Sequence, residues 1–359
     1  MIISVTNDLK TDQRVARVCN ALTEIGFDVF LIGRASNDLT QLQWPYRTKR
    51  FRMLFKKGFL FYAEYNIRLF WTLVLAKKSL LYANDLDTLL PNYLVSISSR
   101  TPLIYDSHEF FTEVPELQAR PFVKSIWEKI EARVFPQLKY VITANEKLAD
   151  IYSKKYDVPV TAIRNVPEVT KADNRYEKSE KVLIYQGALN VGRGIELMID
   201  CMEFLPETRL YIVGDGDLSE DLKKKVSSLN IRNRIIFKGR LIPQELKKLT
   251  PAASLGFSLE EDMGLNYRYA LPNKIFDYIH AGIPVVVSDL PVMSKLVSEH
   301  GVGEILEDRN PRALATLVRE VLMKKESYAQ NLRVAAEIFN WNEEKKVFKN
   351  FMDQIENLE

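Results

Sequence analysis

Residues 181–199 read KVLIYQGALNVGRGIELMI. An apolar run of strand length meets a glycine turn, and the turn leads into a segment with helical apolar spacing. Glycines at 187, 192 and 194 let the backbone approach a phosphate closely. The start of a helix offers unpaired N–H groups and a partial positive charge. Arg193 adds a fork of donors suited to phosphate oxygens. The same residues also fit an ordinary strand-to-helix turn with a solvated arginine.

The pattern repeats on both sides. Strand-like runs occur at 2–6, 28–33, 80–85, 102–106 and 140–145, then at 181–187, 209–215, 234–239, 253–258 and 284–289. Amphipathic segments lie between them. Val15, Val18, Cys19 and Leu22, for example, follow the i, i+3, i+4, i+7 spacing of one helix face. This alternation predicts an α/β protein with parallel sheets covered by helices on both faces. A chain of 359 residues, 47% hydrophobic, can bury two cores of ordinary size. The polar stretch 164–180, RNVPEVTKADNRYEKSE, reads as the linker. The expected units are residues 1–165 and 166–340, with a last helix, 341–359, able to pack back on the first.

Bulk properties exclude several classes. A formal net charge of +3 is too small to argue for nucleic acid, and no low-complexity run suggests disorder. Cys19 and Cys201 stand far apart in sequence and read as buried reduced thiols, which fits a reducing compartment. The first residues lack the basic start and long apolar core of a signal peptide. The apolar stretch 59–76 is interrupted by Glu64 and Arg68, which makes a poor membrane span. A cytoplasmic location is expected. Residues 47–57, RTKRFRMLFKK, interleave six basic residues with Phe51, Met53, Leu54 and Phe55, and Phe59, Phe61 and Tyr62 follow. That mixture suits an anionic membrane surface met through residues 47–62, on the inner face of the cytoplasmic membrane. It equally suits a solvated strand and loop over a core helix.

In open parallel sheets, ligands bind beyond the carboxyl ends of the strands, and the chemically suggestive clusters fall there. In 258–284, SLEEDMGLNYRYALPNKIFDYIHAGIP, Pro272 suits a helix start. Lys274 in that first turn opposes the helix dipole unless an anion binds beside it. Asn273, Lys274 and Asp277 share a face by their spacing. Asp277 suits ribose hydroxyls, and a surface charge pair is the plainer reading. In the first half, Asp106-Ser107-His108-Glu109 follows a strand, and His108 is suited to contact a sugar or move a proton. After the first strand, Thr11 or Asp12 suits a helix cap, while Asp8, Lys10, Arg14 and Glu109 are acceptor-side candidates, with Lys10 and Arg14 able to face a cleft. The D-x-D strings at 85–87 and 215–217 lack a supporting acidic or histidine cluster, so they read as turns and caps rather than metal ligands. Gly214-Asp215-Gly216 opens like a dinucleotide fingerprint, but Ser219 stands in place of its third glycine.

Taken together, the segments 7–29, 106–117, 185–199, 212–218, 237–241 and 271–291 resemble a family 4 retaining glycosyltransferase of the GT-B fold, nearly end to end. The resemblance implies two Rossmann-like domains whose parallel sheets face each other across a cleft. It implies a nucleotide-sugar donor held by the C-terminal domain, a glycan or lipid-linked acceptor, and catalysis without metal or other cofactor. By position, Arg193 and Lys274 would contact the diphosphate and Asp277 the ribose. Gly187, Gly192, Gly194, Gly214 and Asn273 would line the donor site, and His108 would lie near the donor sugar. The loop from Glu261 through Asn266 to Tyr267 would form the sugar pocket. Two departures stand out. The family spaces two glutamates as E-x7-E, whereas this chain has Tyr269 and Asp277, and Ala188 replaces the usual arginine after the first glycine. A sugar-nucleotide epimerase of the same fold, or an inactive nucleotide-sugar-binding protein, would share much of this pattern.

Overall fold

The computed structural model of the chain describes residues 1–9, 12–35, 44–118, 120–169 and 181–356, without the side chains of Asp8, Glu116 and Glu356. It divides into two compact units, Met1–Arg164 with Val347–Glu359, and Asn165–Lys346.

The first unit holds β1 (Ile2–Asp8), α1 (Gln13–Glu24), β2 (Phe30–Arg34), β3 (Arg47–Phe51), α2 (Gly58–Leu75), β4 (Leu81–Asn84), α3 (Leu86–Ser99), β5 (Leu103–Ser107), α4 (Pro115–Gln118), α5 (Pro121–Val134), β6 (Tyr140–Thr143), α6 (Glu146–Tyr156) and β7 (Val160–Ala162). The strands are ordered β3-β2-β1-β4-β5-β6-β7 and pair in parallel throughout. Helix α1 shows how sequence makes these elements. The Asp12 carboxylate accepts from Val15 N at 3.0 Å and caps the helix. Val15, Val18, Cys19 and Leu22 are all buried on the face that their spacing defines. Each of the larger apolar side chains contributes about 1.5–3 kcal/mol by burial. Asn145 caps α6 in the same way through Leu148 N, and Asp157 ends that helix in the left-handed conformation.

The second unit holds β8 (Lys181–Gln186), α7 (Ile195–Cys201), β9 (Thr208–Val213), α8 (Ser219–Ser227), β10 (Ile235–Gly239), α9 (Pro243–Leu249), β11 (Leu255–Ser258), α10 (Leu265–Arg268), α11 (Asn273–His280), β12 (Val285–Ser288), α12 (Pro291–His300), β13 (Gly303–Leu306), α13 (Pro311–Met323) and α14 (Ala329–Ile338). Its sheet, β10-β9-β8-β11-β12-β13, is also parallel, and its strand order is that of a Rossmann fold. The strand order reverses between β8 and β11. Beyond their carboxyl ends lie the Gly187–Gly194 turn and residues 259–261.

Three strands lie outside the ten runs read from the sequence: β3, which fits only the solvated-strand alternative for residues 47–57, β7 and β13. β7 and β13 are short edge strands with mixed burial, so neither carries a continuous apolar run. At β13 a side chain on Gly303 would meet the Val285 carbonyl at 1.9 Å, so close pairing there depends on glycine. A last helix, α15 (Trp341–Glu356), places Phe351 edge-on to Tyr140, with ring centroids 6.4 Å apart. Both cysteines are free and buried. Burial pushes both thiols up, Cys201 to about 12, so neither is a thiolate at neutral pH. His280 Nε2 donates to the Phe339 carbonyl at 2.7 Å, and His300 packs edge-on against the same phenylalanine.

Candidate functional site

In the second unit, three charged side chains meet where β8 and β11 end. Lys274 Nζ donates to Glu260 Oε1 at 2.7 Å, and Arg193 NH1 donates to the same oxygen at 3.3 Å. The other carboxylate oxygen of Glu260 accepts from Ser258 Oγ at 2.8 Å. Glu260 is fully buried and Lys274 is 8% exposed, while Arg193 keeps a quarter of its side chain open. Two cations and one anion leave the cluster net positive. Burial alone would raise the Glu260 carboxyl, but Lys274 and Arg193 outweigh it and bring it down to about 2. Its contribution to stability is therefore present above the ordinary glutamate value of about 4.3 and is lost as pH falls toward 2.

Aromatic faces support both cations. The Arg193 guanidinium lies 4.7 Å from the Tyr267 ring centre, and Lys274 Nζ lies 4.5 Å from that of Tyr185. Tyr267 OH also donates to the Val191 carbonyl at 3.2 Å. Arg193 Nε is buried without a hydrogen-bond partner among the described residues. Arg309 fixes the strand end from below, donating to the carbonyls of Leu259 and Glu260 and to Ser288 Oγ.

Glycine is required for this convergence. Gly194 sits at φ +69°, and a Cβ there would lie 2.3 Å from the Leu259 carbonyl. That contact seats the start of α7 on the end of β11 and brings Arg193 to Glu260. Gly214 is similar, since its Cβ would fall 1.8 Å from the Gly187 carbonyl. Gly282 has φ +66° with nothing within 4 Å, so alanine there meets only left-handed strain, about 1–2 kcal/mol. Gly194→Ala should lower the melting temperature more than Gly282→Ala, because it adds a backbone clash to the left-handed strain. Equal effects of the two in a thermal-shift titration would refute this.

The other donor-side residues spread around the cluster. Asp277 is half-buried and accepts from Gln186 Nε2 at 2.8 Å, while Gln186 Oε1 accepts from Thr250 at 3.0 Å. Asn273 is exposed although it neighbours the buried Lys274. Asn266 and Tyr267 are buried. Glu261 is half-exposed, with Arg309 at 3.6 Å and its own N–H on the Gly192 carbonyl. Sequence reading missed Glu260 and Gln186. Glu260 stands beside an equally acidic neighbour with nothing to favour it. The signal for Gln186 was a lone amide ending an apolar strand.

The first unit carries a second charged network. His108 Nδ1 lies 3.2 Å from Asp85 Oδ2, and Nε2 lies 3.4 Å from Asp106 Oδ2, within ion-pair range but off hydrogen-bond alignment. The His108 N–H donates to Asp85 Oδ1 at 3.0 Å. Burial opposes the imidazolium, but the two carboxylates prevail and raise the group well above its ordinary value. Both ring nitrogens face carboxylates, an arrangement that favours the imidazolium form. Asp85 is held at φ 61° and ψ 164°, a conformation costing about 1–3 kcal/mol outside glycine.

Arg14 also differs from expectation. It was expected to face a cleft. Instead it is buried, forking onto both oxygens of Asp106 at 3.1 and 2.8 Å and donating to the Ile163 carbonyl at 2.7 Å. Its position on the buried face of α1, one residue before Val15, turns it inward, and Asp106 makes that burial tolerable. Glu109 is exposed. Lys10 and Thr11 lie outside the described residues, as does the Asp8 side chain. The D-x-D residues act locally. Asp85 engages His108, buried Asp87 accepts from Thr6, and Asp215 accepts from Ser219 Oγ and Gly216 N.

Comparison with known proteins places this geometry. Residues 168–337 match the family described as glycosyl transferases group 1. The alpha-monoglucosyldiacylglycerol synthase of Streptococcus pneumoniae is 24% identical over 237 residues, 63% of this chain and 48% of that protein. The chitobiosyldiphosphodolichol beta-mannosyltransferase of Candida albicans is 26% identical over 257 residues, 62% of this chain and 55% of that protein. The chain thus spans about half the length of these curated relatives. Among solved structures, the sucrose-phosphate synthase of Thermosynechococcus elongatus aligns with a TM-score of 0.79 at 16% identity, covering 100% of this chain and 99% of that one. Anabaena HepE, in complex with UDP and glucose, aligns with a TM-score of 0.73 at 17% identity, covering 98% of each chain. These likenesses assign the GT-B fold, and residues 168–337 of the second unit match the glycosyl transferases group 1.

Proposed function

We propose that the protein is a retaining, metal-independent glycosyltransferase of family 4, moving a sugar from a nucleotide-sugar donor to a hydroxyl of a glycan or lipid-linked acceptor in polysaccharide or glycoconjugate synthesis. The observation that carries this reading is the convergence of Arg193 and Lys274 beyond β8 and β11, where the strand order reverses. The acceptor oxygen bonds to the anomeric carbon as the bond to the diphosphate breaks. The acceptor proton passes to the departing phosphate on the same face, so the anomeric configuration is kept. Arg193 and Lys274 stabilise the charge growing on the leaving group. Asp277, oriented by Gln186, has the carboxylate to receive ribose hydroxyls. His108 is proposed as a contact for the donor sugar.

A thermal-shift screen across UDP-, GDP- and ADP-sugars tests the donor reading. A matching donor at a hundred times its Kd should stabilise by about 2.7 kcal/mol. No shift with any donor would sink it.

The relatives' names support a lipid-linked acceptor, since one is named as the synthase of a glucosyldiacylglycerol and another as a mannosyltransferase of chitobiosyldiphosphodolichol. A second support is α2. Phe61, Tyr65, Leu69 and Leu73 bury one face, while Leu60, Ile67, Trp71 and Leu75 are exposed on the others. Glu64, the one acid between residues 44 and 80, accepts from the N–H groups of Leu54 and Phe55 and pairs with Arg68. Nine Lys or Arg residues share that stretch. No described helix is long and apolar enough to cross a membrane. An apolar, basic face therefore meets an anionic membrane surface from outside. Trp71→Glu together with Leu75→Glu should cut co-sedimentation with vesicles containing anionic phospholipid at least tenfold. Wild-type binding that ignores salt and anionic lipid would overturn the membrane reading.

A further inference from the structure

Glu260 has a feature that the donor reading does not require: it occupies the two cations itself. Its Oε1 receives both Lys274 and Arg193, and its backbone and neighbours are clamped by Arg309. The carboxylate is completely buried and shares a fixed hydrogen bond with Ser258, so it is part of the built site and not a passing surface contact. It comes from the end of β11, seventeen residues before Asp277, and so lies outside the E-x7-E spacing in which Tyr269 falls.

We infer that Glu260 is a positioning residue for the donor: an internal anion that gathers Arg193 and Lys274 onto one oxygen and yields them to the diphosphate when it binds. This deepens the donor reading and rests on it. Without Glu260, Lys274 would sit buried beside Arg193 with no anion to offset their repulsion. Burial already pulls the Lys274 ammonium below its ordinary range, Glu260 draws it back up and Arg193 presses it down. The other groups facing the cluster do not replace Glu260. Tyr185 and Tyr278 are held neutral by burial. Tyr267 lies under Arg193, Arg309 is a further cation, and Asp277 is turned to Gln186. The anion at 2.7 Å thus offsets the burial of the Lys274 charge before the donor arrives, and the arriving diphosphate replaces one counterion by another.

The signature is proton linkage. Binding of a nucleoside diphosphate is measured by calorimetry at pH 8 in buffers of different ionisation enthalpy, with the parent nucleoside as control. Wild type should take up almost no proton. Glu260→Gln should take up close to one, because the diphosphate must recharge Lys274, and its affinity should fall about tenfold per pH unit above the lowered lysine value. Glu260→Asp, which keeps the charge but falls a methylene short, should take up an intermediate fraction and serves if the glutamine variant does not fold. The nucleoside should show no linked proton in any form. A folded Glu260→Gln or Glu260→Asp protein that binds the diphosphate with wild-type proton uptake and affinity would overturn the inference alone. Wild type that binds the nucleoside but no diphosphate would overturn the donor reading and this inference with it.

Discussion

Replacing Arg193 and Lys274 together with alanine lowers kcat/KM for glycosyl transfer by about 10³–10⁵-fold. Removing one preorganised donor from developing charge typically costs about 10²–10³ in rate. Both cations here are held against aromatic rings and a buried carboxylate, so little reorganisation accompanies the reaction. The single effects should not multiply fully, because the two side chains share Glu260 Oε1. Removing one strengthens the hold of Glu260 on the other. Removing both leaves a buried carboxylate uncompensated, so the matched control is the triple variant with Glu260→Gln, which restores electroneutrality without restoring catalysis. Steady-state kinetics on the donor identified by the screen decide the matter. A double variant within threefold of wild-type kcat/KM would show that charge neutralisation at the diphosphate lies elsewhere.

The second large effect is on stability. Arg14→Ala should destabilise the first unit by about 3–5 kcal/mol, the cost of stripping one partner from a buried ion pair. Arg14 and Asp106 are 4% and 0% exposed. The loss reaches beyond the pair, since Asp106 also accepts from Tyr82 OH at 2.7 Å and faces His108. Arg14→Lys should recover part of the stability, because it keeps the charge but not the fork. Urea unfolding followed by tryptophan fluorescence suits the test, as Trp44, Trp71 and Trp127 lie in the first unit and only Trp341 in the second.

The pH dependence has two signs. Arg14 and His108 depress the Asp106 carboxyl strongly against its burial, so that stabilisation is present above the ordinary aspartate value and disappears as pH falls. His108 is raised, so its stabilisation is complete below about 6.5 and is lost only as pH climbs through its folded value. Wild type should therefore hold its stability across neutral pH, and Arg14→Ala should lose the acid side first. A loss below 1 kcal/mol for Arg14→Ala would mean that the first unit repacks without the pair.

Much of the charged cluster in the second unit was legible because local chemistry announces it. A glycine turn after an apolar run, with an arginine inside it, points to Gly187–Gly194 wherever the turn lies in space. A lysine opposing a helix dipole points to Lys274 in the same way. Glu260 was not legible, because Glu260 and Glu261 are chemically alike in the sequence and differ only in which one the end of β11 turns inward. The carboxylate neighbours of His108 were not legible, because Asp85 and Asp106 arrive from two different strand ends.

The sequence by itself determined the alternating parallel architecture, the division into two Rossmann-like units and the residues at the phosphate-compatible turn. Periodicity and glycine placement are local properties, and they survive any tertiary arrangement. Tertiary structure alone decided the fate of the charges. It buried Arg14 against Asp106, set His108 between two carboxylates and placed Glu260 between Arg193 and Lys274. A charge takes its energy from what stands within a few ångströms, and those neighbours come from strands far apart in the chain.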